Sequence, residues 1–314
     1  MTGKISHPAL RWGAAAATAA ATMLLGACAH NGASRPVDAP AAAAEAAAAV
    51  AMAPKGRVQG HATQHTRSSL QAAVQRAWLT LPASVTGGAV YAGLLQDAPA
   101  AQAKAPVVVF VHGSSGVAPA VKEWMLWVAQ TQGAAVVAVD SMQLPGRIVY
   151  QSPIAKADYE KVHALRATEL RAALAALPQQ PWADVQRVVL AGTSEGAVAV
   201  ARHVPQPGMV QEKGRMIFSW TCENNYHVQD HRTHLPATLP VLNVVSSNDI
   251  YFSRSNSWLG NDQALGHCGA ALAQNKVSRV VLIPNAPHTL FNLPQARGPV
   301  EEFLQQQLSA TGKM

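Results

Sequence analysis

The segment Arg187 to His203 constrains this chain more than any other. A continuously apolar run, Arg187 to Ala191 (RVVLA), leads straight into Gly192-Thr193-Ser194-Glu195-Gly196-Ala197, and Val198 to His203 can continue as a helix. A run apolar at every position is how a strand buried on both faces reads, because a parallel sheet covered by helices has no wet face to alternate toward. A strand that passes into a helix without a loop needs a tight turn. Glycine at both second neighbours of Ser194 leaves room for that turn and for a strained conformation with the hydroxyl exposed. The helix starting there points free N–H groups and its positive end toward whatever Ser194 meets. The plainer alternative is a turn serine that caps the helix.

Five further runs of the same kind flank this one: Pro106 to Val111 (PVVVFV), Ala134 to Asp140, Arg215 to Ser219, Pro240 to Val245 and Arg279 to Ile283. Between them, Val121, Trp124, Met125 and Val128 keep helical spacing, as do Leu170, Leu174 and Leu177 within Ala155 to Leu177. Ala77 to Leu81 and Ala89 to Leu95, parted by Gly87-Gly88, read as an antiparallel strand pair. Alternating strands and helices predict an α/β fold, a doubly wound, mostly parallel sheet flanked by helices. Sites in such sheets lie at the carboxyl ends of the strands, so the residues just after each run are the candidates.

A serine hydroxyl is a poor nucleophile unless a base takes its proton. His288 follows the last run in Pro284-Asn285-Ala286-Pro287-His288, and Asp249 follows the run before it in Ser246-Ser247-Asn248-Asp249. The chain order Ser194, Asp249, His288 is that of a nucleophile-elbow triad, with Asp249 fixing the imidazole tautomer. Glu223 is the rival acid. Asp140 also ends a run, but it precedes Ser194 and breaks the order. The oxyanion of such chemistry needs two N–H donors: the backbone of Glu195, and the loop after VVVFV, where His112-Gly113-Ser114-Ser115 places Gly113 and Ser114. As a phosphate cradle that loop lacks the terminal GK[ST].

These motifs together resemble the α/β-hydrolase superfamily and its dienelactone hydrolase group. The resemblance runs from about Ala89 to Gln307, through VVVFVHGSSGV, Lys122-Glu123-Trp124, VVAVDS, GTSEGA, SSND and PH. It implies ester or lactone hydrolysis through an acyl-enzyme, with no cofactor. The group's namesake enzymes use cysteine as nucleophile, whereas position 194 is serine, so dienelactone itself is not the expected substrate. Glu195 stands where His or Met is common, and its charge is expected to disfavour anionic substrates.

Composition bounds the partners. Of 314 residues 13% are charged, the net charge is +7, and Lys and Arg are scattered singly, so nucleic-acid binding is not expected. Residues 1–13 carry Lys4 and Arg11 and no acid, and Ala14 to Ala27 is apolar and uncharged, as in a secretion signal. The stretch is shorter than the roughly 18 to 20 residues a membrane span needs. Leu25-Gly26-Ala27-Cys28 resembles the bacterial lipobox, which implies a signal peptide over 1–27 and acylation of Cys28. Ala29 resembles the sorting signal for the outer membrane, with the protein facing the periplasm. Residues 28–66 read as an Ala- and Pro-rich tether and 67–314 as one domain, helical from around Ser69. Cys222 and Cys268, 46 positions apart, are expected to pair in an oxidising compartment.

Other groups are weighed on the same terms. His227, Asp230, His231 and His234 fall within eight positions, and a zinc site there is set against a polar solvent loop; without a third ligand set at metal spacing or HExxH, the loop is preferred and no metal is expected. Tyr251, Phe252, Trp258 and Phe291 either line an acyl pocket or pack the core, and Met142 to Ile154 can form a short rim. The resulting expectation is a lipid-anchored carboxylesterase acting on a small ester. A non-catalytic envelope scaffold on the same fold, and an amidase or acyltransferase using the same triad, stay open.

Overall fold

The computed structural model of the chain describes residues 55–256 and 258–309. In chain order its strands and helices are β1 (Arg57–Gln59), α1 (Arg67–Gln75), β2 (Trp78–Leu81), α2 (Ala83–Thr86), β3 (Tyr91–Leu94), β4 (Ala105–Val111), α3 (Pro119–Gln132), β5 (Ala135–Ala138) and β6 (Val149–Gln151). There follow α4 (Lys156–Ala176), β7 (Ala183–Thr193), α5 (Glu195–Arg202), β8 (Gly214–Phe218), β9 (Val241–Ser246), β10 (Ser278–Ile283) and α6 (Pro294–Leu308). Eight strands form one sheet in the order β10-β9-β8-β7-β4-β5-β2-β3. From β10 to β5 the neighbours run parallel; β2 is antiparallel to both β5 and β3.

Strand β4 shows why its sequence is apolar at every position. Side chains alternate across a strand, and Val107, Val109 and Val111 enter one apolar cluster while Val108 and Phe110 enter another. The first cluster holds Leu170 and Leu174 of α4 and Ala197 to Ala201 of α5. The second holds Val121, Trp124, Met125 and Val128 of α3 and Val300 and Leu304 of α6. Helices therefore cover both faces, and the sheet is the doubly wound, mostly parallel one that the sequence predicts. Strand β10 departs from the pattern: it lies at the sheet edge, with Arg279 exposed and Leu282 46% exposed, although its sequence is as apolar as that of β9.

The sequence expectations differ from the fold in two other places. A four-residue helix, α2, precedes Gly87 in the β2–β3 connection, and Gly87 ends it with φ 74°, a left-handed conformation that favours glycine. The tether expected over 28–66 is shorter at its end. Strand β1 pairs antiparallel with β6, Val58 opposite Tyr150, and His61 and Ala62 donate their N–H groups to the carbonyl of Gly146. This strap is exposed and held by backbone hydrogen bonds, not by burial, so it leaves no apolar signature in the sequence. No helix among the described residues is long and apolar enough to cross a membrane. The signal-like stretch, Cys28 and the tether up to residue 54 lie outside the described residues.

Cys222 and Cys268 form a disulfide with Cα atoms 4.8 Å apart. Both are buried in the first apolar cluster. The bridge ties the segment after β8 to the segment before β10.

Candidate active site

Ser194 sits between β7 and α5 with φ 54° and ψ −119°, a conformation that L-residues rarely adopt. Its surroundings hold it there. Its N–H donates to the carbonyl of Phe218 at 2.9 Å, and its carbonyl accepts from Ala197 at 3.0 Å, starting the helix. The flanking glycines are required by contact: a Cβ on Gly196 would lie 2.1 Å from the carbonyl oxygen of Val111, and one on Gly192 would lie 2.6 Å from that of Gly196. The Ser194 hydroxyl has no hydrogen-bond partner among the described residues, and Ser194 lines a cavity of about 480 Å³ together with His288.

Asp249 and His288 come together in the structure. Nδ1 of His288 lies 2.7 Å from Oδ2 of Asp249, and the other carboxylate oxygen accepts the N–H groups of Tyr251 at 2.9 Å and Phe252 at 3.2 Å. A carboxylate only accepts at neutral pH, so Nδ1 carries the proton and the lone pair is left on Nε2. Asp249 is buried, which shields this pair from solvent. Its loop partner is shaped by Asn285, at φ 54°, after which Ser246 Oγ donates to the carbonyl of Ala286 at 2.7 Å and Ser219 Oγ to that of His288. Ser219 is itself at φ 51°.

The second donor loop runs beside the serine. A Cβ on Gly113 would stand 3.4 Å from that of Ser194, and Gly113, Ser114 and Ser115 line the cavity. His112 fixes this loop. Its Nε2 accepts the N–H of Ser141 at 2.9 Å, so Nδ1 bears the proton and donates to the carbonyl of Gly113 at 2.6 Å. Burial, with Arg166 and Arg147 nearby, holds the pKa of His112 well below the usual histidine value and keeps it neutral. The N–H of Glu195, first in α5, has no partner within the helix. The Gly113–Ser115 loop and the start of α5 thus flank the space beside Ser194.

The carboxylate of Glu195 departs from expectation. Arg147 Nη2 reaches Oε1 at 2.6 Å, Arg166 Nε lies 3.4 Å from the same oxygen, and the Tyr150 hydroxyl donates to Oε2 at 2.9 Å. Its charge is matched within the protein, so it presents no free negative charge to a ligand. Arg166, fully buried, also pairs with Glu169 and donates to the carbonyl of His112 at 3.0 Å. Glu169 in turn bonds His65, which leads into α1 and whose side chain is buried, at 3.0 Å. One guanidinium therefore touches both walls of the donor site.

The remaining candidates separate. Glu223 accepts the N–H groups of Leu265 at 2.6 Å and Gly266 at 3.0 Å and has no contact with His288. Asp140 caps the turn Ser141–Gln143 by accepting from Met142. The segment holding His227, Asp230, His231 and His234 is not helical: His227 turns inward, while His231 and His234 are exposed and Asp230 pairs with Arg232. No group of three or more His, Cys, Asp or Glu residues among the described residues is placed to hold a metal. Tyr251, Phe252 and Phe291 line the cavity, and Trp258 packs behind His227 with ring centres 5.0 Å apart. Tyr150, Gln151 and Ser152 form the rim expected from Met142 to Ile154.

Arg147, Tyr150, His163 and Arg166 carry no motif that marks them in the sequence, and His227, weighed there only as a metal ligand or loop residue, instead lines the cavity. One signal was available for α4: His163, Arg166 and Glu169 fall on the same buried helix face as Tyr159, Val162 and Leu170, where polar residues need partners.

No known family matches the chain, and no curated protein does. Among solved structures it is similar to esterase PE8, at 17% identity and a TM-score of 0.44 over 73% of this chain and 97% of that one. It is also similar to a putative dienelactone hydrolase from Klebsiella pneumoniae, at 16% identity and a TM-score of 0.46 over 73% and 96% of the two chains. The esterase domain of a Rhodothermus marinus protein has 17% identity and a TM-score of 0.43 over 74% and 93%.

Proposed function

We propose that the chain is a serine hydrolase that cleaves carboxylic esters through an acyl-enzyme. The observation that supports this best is Ser194, held at φ 54° on the wall of a cavity shared with His288, whose Nδ1 is bound 2.7 Å from buried Asp249. His288 Nε2 takes the hydroxyl proton as Ser194 Oγ attacks the ester carbonyl, and Asp249 stabilises the imidazolium that results. Negative charge on the carbonyl oxygen is received by N–H groups of Glu195 and of the Gly113–Ser115 loop. Collapse of the tetrahedral adduct expels the alcohol, which takes the proton from His288. Water, deprotonated by the same base, then frees the acid and restores Ser194.

A fluorophosphonate probe tests the nucleophile. Labelling at Ser194, with turnover of 4-nitrophenyl acetate abolished in Ser194→Ala, is the expected result. A protein that neither labels nor turns over any ester is a binding scaffold on this fold, and one that cleaves amides in preference to esters is an amidase.

We also propose that the protein is anchored through acylated Cys28 on the periplasmic side of the outer membrane. The support is the basic, then apolar N-terminus ending in Leu25-Gly26-Ala27-Cys28, since one acyl chain binds only reversibly and lipoprotein acylation supplies three. Cys28→Ala should move the protein from the membrane to the soluble fraction, and continued membrane retention would count against acylation.

A further inference from the structure

We infer that the cavity beside Ser194 accepts uncharged esters carrying an aromatic ring, with Tyr251 and His227 as its specificity-determining side chains. This deepens the hydrolase reading and rests on it.

The first ground is the composition of the wall. Of the 24 residues that line the cavity, six are aromatic: Tyr150, Tyr159, Trp220, Tyr251, Phe252 and Phe291. The chain as a whole is 5% aromatic, so its few large rings are concentrated on this surface. All but Phe291, which packs with Phe110, Trp124 and Phe218, form a connected set of tilted and edge-to-face contacts joined through His227. The ring centre of Tyr251 lies 4.7 Å from that of His288, and that of His227 lies 4.8 Å from Phe252 and 5.0 Å from Tyr159. A substrate ring entering such a set gains the offset or edge-to-face contacts that a saturated ring of equal size does not. The volume of about 480 Å³ suits a ligand of that size.

The second ground is charge. None of the 24 lining residues is Lys or Arg. The only lining carboxylate, that of Glu195, is taken up by Arg147, Arg166 and Tyr150. The phenol of Tyr159 is likewise engaged, donating to Ser152 Oγ at 2.8 Å. His163 and His227 are buried, and burial lowers the pKa of both, His227 to about 3, so neither is a cation near neutral pH. A carboxylate on the substrate would lose its water and find no counter-charge there, which is costly. Selection against anions thus comes from the missing cation in the wall, and not from Glu195.

Ring-matched esters test this on the purified protein, with acid release followed by titration at pH 7. Methyl phenylacetate is compared with methyl cyclohexylacetate, and benzyl acetate with cyclohexylmethyl acetate, so that the ring is on the acyl side in one pair and the alcohol side in the other. In at least one pair the aromatic ester should have the higher kcat/KM, by about 3- to 10-fold. Methyl 4-carboxyphenylacetate should be slower than methyl phenylacetate by about 100-fold or more. Tyr251→Leu should bring the aromatic-to-saturated ratio toward one; because both esters meet the same variant, any effect of the lost ring on His288 cancels. His227→Leu serves as the second variant and should do the same.

Equal rates within both pairs, or equal rates for the carboxylated and plain phenylacetates, would overturn the inference. An unchanged ratio in both variants would overturn the assignment to Tyr251 and His227. Hydrolysis of 4-nitrophenyl acetate without ring preference leaves the hydrolase reading standing and sinks this one alone. No hydrolysis of any ester sinks both.

Discussion

Arg147 Nη2 donates to Glu195 Oε1 at 2.6 Å, tying the residue after Ser194 to the segment that carries Tyr150. Both side chains are almost wholly removed from solvent. Removing one partner of a buried pair costs about 3–5 kcal/mol when the other charge is left unpaired, and much less when both are removed. Glu195 without Arg147 keeps Arg166 at 3.4 Å and the Tyr150 hydroxyl, so the cost here falls below that range. Arg147→Met should therefore lower the midpoint of urea unfolding, and Arg147→Met with Glu195→Gln should recover part of the loss. Equal midpoints for the single and double variants would show that the Glu195 charge left behind by Arg147→Met carries no penalty.

The bond between His288 Nδ1 and Asp249 Oδ2 holds the imidazole in the tautomer that leaves Nε2 free. Asparagine at 249 fills the same space but offers an amide where a carboxylate is needed, so the ring is no longer held in that tautomer or stabilised when protonated. Asp249→Asn should reduce kcat by on the order of 10⁴-fold with KM little changed. Circular dichroism checks that the fold is intact. A loss below about tenfold would mean that Glu223 or another acid does this work.

The acid limb of stability should carry the mark of His227. Its pKa is lowered from 6.5 to about 3, by burial first and then by His163 and His288. The unfolded chain therefore binds a proton at this position between those two values while the folded chain does not. The stability concerned is fully present above about pH 6.5 and is lost as the pH falls below it, at up to about 1.4 kcal/mol per pH unit. Between pH 7 and pH 5 the loss from this one group is about 2 kcal/mol. His163, lowered mainly by burial, acts in the same direction. His227→Phe should flatten the stability profile over that interval, measured as unfolding free energy in urea at each pH. A profile parallel to that of the unchanged protein would show that His227 titrates normally.

What the sequence disclosed and what it hid have a common physical origin. Buried strands and the tight turn at Ser194 announce themselves because each requires particular residue types: apolar side chains at every position in β4 and from Val188 to Ala191 of β7, and hydrogen alone at Gly192 and Gly196. Asp249 and His288 were legible through chain order at strand ends. The partners of Glu195 were not, because Arg147, Tyr150 and Arg166 reach it from separate segments, and nothing in the local sequence of any one of them fixes that meeting. The strap at β1 was hidden for the opposite reason, since backbone hydrogen bonds place no demand on side-chain type.

The Cys222–Cys268 bridge closes a loop of 46 positions that contains strand β9 and the acid Asp249. Chain-entropy arguments value such a closure at about 4 kcal/mol, through the conformations denied to the unfolded chain. The bridge also lies next to the floor of the site: the N–H of Cys268 donates to Asn243 Oδ1 at 2.9 Å, and Asn243 Nδ2 donates to the carbonyls of Ile217 and Trp220, each at 3.0 Å. The double variant Cys222→Ala/Cys268→Ala should unfold at a lower temperature and lower urea concentration, and should be cleaved by protease in that loop sooner than the unchanged protein. Unreduced protein should weigh two hydrogens less than its reduced form. An intact mass showing free thiols, or a double variant as stable as the parent, would remove the bridge from the forces that hold Asp249 in place.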